Sequence, residues 1–415
     1  MAVSEKTINK LVDHLTKNTY KANEYFLNTI GEMIKQIREL SPSDAHKLVQ
    51  MLKYGGKYQD IVRELSNISG IPKRDIEKIF SNYAKIDQNF YEKFYKYRNI
   101  KFTPFDENLA LRRQTMALAN ITNGTLKNFT RQRALGYSFR DVKGNVTFHG
   151  LKETYERVLD EAVLNISQGK EAFDSAMSRI LKEIGGSGLR TLDYESGRSY
   201  RLDSAIEMHL RSALNNLHNE NQKIIADEID ADGVEISVHM NPAPDHEEAQ
   251  GRQFKTNEYD KNGKLVKEGE WEKLQKGEDA TDYTGKTISL VKGKTYRPIS
   301  EYNCYHYVFS IVLGVSKPQY SNEQLQKIRD DNNKGFEYDG VHYTNYQGTQ
   351  LQRLIERKIR EQQDIHMLAK ASNNIDLANE SQMKITELLN TYNKVNKASG
   401  LQPNTSKLYS YGYKR

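Results

Sequence analysis

The sequence predicts a predominantly helical α+β chain: an extended helical N-terminal half, a small mixed α/β domain around a His/Cys motif, and C-terminal helices. Three observations lead there. Apolar residues recur at helical spacing through most of the chain. Short β-like runs and turn pairs concentrate between residues 233 and 345. Only 37% of the 415 residues are hydrophobic and the mean hydropathy is -0.79, which suits thin helical layers with wet faces better than one thick globule.

Taken in order, Ile8, Leu11, Leu15, Tyr20, Tyr25, Ile30, Ile34 and Ile37 mark a first helix over 5–40. Ser41-Pro42-Ser43-Asp44 stops it and starts another, with Pro in the first turn. Gly55-Gly56 and Gly70-Ile71-Pro72 punctuate again before a helix over 75–97. The amphipathic helices of 5–97 are expected to gain most of their stability by packing on other surfaces. A helix over 107–133 precedes a hairpin over 138–149, turning at Lys143-Gly144-Asn145. One long helix is expected over 151–184, then a helix over 204–229 with Asp203 as its N-cap.

The mixed region opens with a strand over 234–238 and a loop, Asn241-Pro242-Ala243-Pro244, held by two prolines. Short strands are expected around Thr284-Gly285 and Lys292-Gly293. Ser321 with Gln324 forms a capping box, and Asp339-Gly340 centres a hairpin. Helices over 348–371 and 375–398 follow, the second ended by Gly400. The tail 401–415 is too polar to pack alone. These breaks give regions 1–150, 151–232, 233–345 and 346–415.

Composition narrows the function. The net charge of +6 permits non-specific contact with nucleic acid without demanding it. Cys304 is the only cysteine, so no intrachain disulfide forms. The N-terminus has no apolar stretch of signal-peptide type, and no apolar run reaches membrane-spanning length. The chain has 26 Tyr against 13 Phe, and tyrosine suits half-wet contacts through its polar tip. No phosphate-binding glycine loop and no dinucleotide fingerprint is present.

One constellation carries chemistry. His239, Asp245, His246, Gln250 and Gly251 lie in one segment; Asn303, Cys304 and His306 follow some fifty residues later. His239, His246, Cys304 and His306 form a candidate tetrahedral zinc set, although none of the short metal-ligand spacings is present. The other reading is a buried polar network in which His and Asp fix the prolyl loop. A nucleophilic arrangement of Cys304 with His306 or His246 and Asp245 is a third, but residues two apart rarely aim a thiol and an imidazole at each other. All readings expect the strand over 234–238 to pair near 303–309, so that His239, Asp245, His246, Cys304 and His306 lie together.

The same residues carry a resemblance. VEISVHMNPAPDHEEAQGRQF resembles the central signature of the phage minor capsid protein 2 family: a strand into a histidine, a prolyl loop, a second histidine, Gln-Gly and an aromatic. These are His239, Pro244, His246, Gln250-Gly251 and Phe254. EYNCYHYVFSIVLGVSKPQYSNEQL is similar to the family's Asn-Cys-Arg-His block, through Asn303, Cys304, His306, Leu313-Gly314 and Pro318. Tyr305 stands where the family usually has arginine. The resemblance implies a minor head protein of tailed bacteriophages, synthesised in the host cytoplasm and sited in the head interior near the portal. It implies a structural role in head assembly or DNA packaging and ejection. Its implied partners are the portal protein, the major capsid protein and, non-specifically, packaged DNA. It implies no enzyme activity and no catalytic residue. The alternative is a metal-dependent nuclease or related hydrolase at His239, His246, Cys304 and His306.

Overall fold

The computed structural model describes residues 5–131, 133–141, 143–193, 196–289, 297–301 and 304–413. The chain forms two compact units, each assembled from separated stretches. One gathers Lys73–Thr122 and Met208–Thr349 with the first residues up to Leu11; the other gathers Val12–Pro72, Asn123–Glu207 and Gln350–Arg415. The fold is predominantly helical α+β, with several small sheets of two to four strands. No described helix is long and apolar enough to cross a membrane.

In the second unit the helix Glu5–Arg38 contributes its residues from Val12 onward. Phe26, Leu27 and Ile30 are fully buried there. It approaches the helix Asn345–Ala371 so closely that a Cβ on Gly31 would sit 2.4 Å from the Ala371 Cβ. Gly185, in the helix Lys170–Ser187, meets Ile365 in the same way, at 2.6 Å. The chain's beginning and end therefore share one core. Ser41 caps the helix Pro42–Tyr54 by accepting the Asp44 N–H at 3.2 Å, with Pro42 in the first turn. The hairpin Leu135–Arg140 with Val146–Gly150 extends through Arg190–Leu192 and Ser199–Arg201 into a four-stranded antiparallel sheet.

This core is polar at its centre. Asn23 donates to Asp364 at 3.2 Å and accepts from the Leu189 N–H at 3.0 Å and the Tyr137 hydroxyl at 3.3 Å. Arg201 bridges Asp203 and Asp364, both at 3.4 Å. Tyr137 stacks on Phe26 with ring centroids 5.0 Å apart. Tyr137, Tyr155 and Tyr392 are fully buried. Tyr155 donates to the Leu52 carbonyl and Tyr392 to Glu356, so these tyrosines fill cores while their tips find partners. The tail packs on the helix Asn345–Ala371: Arg360 donates to the Lys407 carbonyl and Gln363 to the Leu408 carbonyl.

Two local expectations change. The stretch 151–184 forms two helices, Leu151–Ile166 and Lys170–Ser187, because Gly169 takes φ 107, which breaks the helical path. Asp203 lies one residue inside the helix Leu202–Ile229 and not at its N-cap, and its carboxylate pairs with Arg201.

In the first unit, Tyr91 and Tyr95 of the helix Lys73–Tyr97 pack on Ile225 and Ile229 of Leu202–Ile229. A three-stranded antiparallel sheet lies alongside, with Gly233–Ile236 between Val308–Ile311 and Gln253–Lys255. Val234, Ile236, Phe254, Leu274 and Val308 form its buried core, and Trp271 packs against them. The capping box at Ser321 and Gln324 starts the helix Asn322–Lys334. Asp339 and Gly340, at φ 54 and 75, turn the hairpin Phe336–Tyr338 with Val341–Tyr343. Strands Ala280–Thr281 and Thr287–Ile288 flank Thr284-Gly285; the expected strand at Lys292-Gly293 lies outside the described residues.

Candidate functional site

The site grows from one strand pair and one helix of the first unit. Val308 opposes Ile236, and the pairing runs on past the strand ends: Ser237 N–H donates to the Tyr307 carbonyl and Tyr307 N–H to the Ser237 hydroxyl, each at 2.8 Å. This brings the segment before His239 beside the segment after Cys304. The helix Leu202–Ile229 then fixes the 300–310 backbone with a row of polar side chains at helical spacing. Asn215 donates to the Cys304 carbonyl at 2.8 Å, Asn219 to the Ser300 carbonyl at 3.1 Å, and Gln222 accepts the Ser310 N–H at 2.9 Å. His218, fully buried, places Nδ1 2.9 Å from Asp87 and Nε2 2.9 Å from the Val308 carbonyl. Sequence reasoning missed this row. Its signal was an uncharged Asn/His/Gln pattern on one face, where a solvated helix would carry Lys or Glu.

The prolyl loop returns the second histidine. Asn241 adopts φ 62, which Asn tolerates better than most residues. His246 N–H donates to the Ala243 carbonyl at 3.0 Å and begins a tight turn through Gln250. Gly251 closes it, its N–H donating to the Ile236 carbonyl at 2.9 Å. Its φ is 72, and a Cβ there would lie 2.4 Å from Leu325 Cδ2 and 2.8 Å from Val238 Cγ2, so glycine is required twice over.

His246, Cys304 and His306 converge. Cys304 Sγ lies 3.7 Å from His246 Nδ1 and 3.6 Å from His306 Nδ1, and the three atoms lie within 4.8 Å of one another. All three residues are buried. The other ring nitrogens are fixed by acceptors. His246 Nε2 donates to the Arg297 carbonyl at 2.7 Å. Gln250 Oε1 accepts the His239 N–H at 2.9 Å and, at 3.3 Å, the His306 Nε2–H. Both imidazoles in their neutral forms therefore turn Nδ1 lone pairs toward one sulfur.

Electrostatics favours those neutral forms. Burial, reinforced by His246 and His239, lowers the His306 pKa to about 3. Burial likewise lowers His246, against the opposing pull of the Arg297 carbonyl and Asp245. Burial pushes the Cys304 thiol up, away from the thiolate that a nucleophile needs. Asp245 is not aimed at the cluster. Its two oxygens clasp Arg297 at 2.8 and 2.9 Å, and it stands 3.7 Å from His246 Nε2. Burial would raise the Asp245 carboxyl, but the Arg297 fork outweighs it and holds it below the usual range.

His239 takes a different part. Its ring meets the Tyr305 ring edge-on at 5.4 Å and lies 6.1 Å from the His306 ring, outside the three-atom group. Asn303 lies outside the described residues. Arg297, which the sequence did not single out, sets a guanidinium beside the cluster and orients His246 through its carbonyl. Two imidazoles and a thiol in this arrangement can hold a borderline or soft cation, or can knit loop and strand together as a polar network.

Among curated proteins and among solved structures, none matches the chain. A family model does: that of phage minor capsid protein 2, over residues 4–394 of the 415. The strand, the prolyl loop, the His/Cys cluster and both flanking helical regions all fall inside the match, and the chain belongs to the phage minor capsid protein 2 family.

Proposed function

We propose that this minor capsid protein of a phage serves as a structural, non-catalytic component in the interior of a tailed-phage head. In this reading it sits near the portal, contacts the portal protein or the major capsid protein, and acts in head assembly or in DNA packaging and ejection. The observation that carries the reading is the family match across nearly the whole chain. The site supports it. Its thiol is buried and held protonated, its acid is neutralised by Arg297, and Asp245 does not orient a catalytic base. The mild positive charge is compatible with non-specific contact to packaged DNA. Co-assembly tests it. The purified chain mixed with portal rings is expected to bind them and to leave double-stranded DNA uncut. Robust nuclease activity that disappears in His246→Ala would replace this reading with a metal-dependent hydrolase. The convergence of His246, Cys304 and His306 is what keeps that second reading in view.

A further inference from the structure

Three atoms of metal-ligating type, two imidazole nitrogens and a thiol sulfur, meet in the first unit. His246 Nδ1 and His306 Nδ1 both face Cys304 Sγ, at 3.7 and 3.6 Å. A single thiol hydrogen can bridge only one of these two contacts. At the other contact a nitrogen lone pair faces the sulfur inside a buried site, and a cation held by all three atoms satisfies both contacts at once.

The geometry supplies three corners of a tetrahedral ion, the fourth being left to a water molecule. With Zn–S near 2.3 Å and Zn–N near 2.05 Å, neighbouring sulfur and nitrogen ligands stand about 3.6 Å apart. The S···N separations here are 3.6 and 3.7 Å before any adjustment. The surroundings fit as well. A metal-bound histidine usually donates its remote N–H to a carbonyl or carboxylate, which fixes the ring and makes the ligand more basic. His246 does so to the Arg297 carbonyl and His306 to the Gln250 amide oxygen. The His306 backbone N–H points at Cys304 Sγ at 3.4 Å, a donor suited to a metal-bound thiolate.

We propose that His246 Nδ1, Cys304 Sγ and His306 Nδ1 bind one divalent cation of zinc type, which clips the prolyl loop to the segment entering the strand Val308–Ile311. Binding converts the Cys304 thiol to a thiolate and releases its proton to solvent, while both imidazoles stay neutral. The ion cross-links chain segments 58 residues apart, from His246 to Cys304. It does so whether or not the protein sits near the portal.

The test uses the full-length chain, purified with chelator and reductant, then titrated with Co²⁺ and back-titrated with Zn²⁺. Cys304 is the only cysteine, so any thiolate-to-cobalt charge-transfer band reports this site and no other. The expected result is a band with tetrahedral d–d absorption that saturates at one equivalent and is displaced by zinc. Cys304→Ser abolishes the band. His246→Ala and His306→Ala weaken binding, and Gln250→Ala, which keeps every ligand, weakens it roughly 10–100-fold. No charge-transfer band in the wild-type chain, or cobalt binding without one, overturns the proposal. That result needs no variant, so a misfolded mutant cannot obscure it. Unchanged affinity in both histidine variants overturns the ligand set.

Discussion

Replacing His218 by leucine tests how the site is supported. His218 is fully buried, and each of its ring nitrogens lies 2.9 Å from an oxygen, of Asp87 and of the Val308 carbonyl. Leucine keeps much of the ring's volume against Tyr307 and Phe309, whose centroids lie 5.2 Å away, but removes both hydrogen-bonding nitrogens. The Val308 carbonyl then loses a partner, at a cost of about 1–3 kcal/mol. The larger effect is on Asp87, itself fully buried, whose carboxyl loses its His218 partner. Breaking such a pair from one side costs about 3–5 kcal/mol. Removing both members is far milder, because no charge is left behind. The double variant Asp87→Leu/His218→Leu should therefore be more stable than the sum of the single effects implies. Urea unfolding followed by fluorescence reads this unit directly, since Trp271 is the chain's only tryptophan and packs on the unit's core. The midpoint should fall in each single variant with little change in slope. A cost below about 1 kcal/mol for His218→Leu, or strict additivity in the double variant, would refute the buried-pair argument.

Further outcomes follow from the same geometry. Gly251→Ala should destabilise the first unit by about 2 kcal/mol, through its left-handed φ and its contacts with Leu325 and Val238; an unchanged melting temperature would contradict the close approach. Asp282, against Arg252 at 2.6 Å, is raised by burial but lowered more by Thr284, Lys286 and Arg252, so its folded pKa lies below its unfolded value. Its contribution is present above the usual carboxylate range and lost as pH falls through the folded value; Asp282→Asn should flatten the acid side of the stability profile, and an unchanged profile would refute the assignment. In the second unit, Arg201→Met removes the guanidinium that bridges Asp364 and Asp203 and should cost about 3 kcal/mol, measured by limited proteolysis of the free chain; wild-type resistance would count against it.

Local signals in the sequence were reliable where a residue's chemistry dictates its own backbone. Ser41 before Pro42, the Ser321–Gln324 box, Asp339-Gly340 and the left-handed Gly400 each do what their side chains or lack of one require. The break at Gly169 was not legible because apolar spacing continues across it, so periodicity alone reads one helix. The sharing of one core by the chain's two ends was not legible either. It rests on Gly31 against Ala371 and Asn23 against Asp364, contacts that no local pattern announces. At the site, the sequence singled out the residue types that converge, because two histidines and the sole cysteine stand out in a chain of mixed charge. The elements that orient them were hidden. Arg297 orients His246 through its backbone carbonyl, and Asn215, Asn219 and Gln222 act on backbone groups some eighty to ninety residues away.

Quantitative mass spectrometry of purified, DNA-filled heads, with chemical cross-linking before digestion, tests the central claim most directly. The account predicts the chain in the particle at far fewer copies than the major capsid protein, cross-linked to the portal or to adjoining shell subunits. Its absence from purified heads, or a copy number equal to that of the shell subunit, would contradict the account.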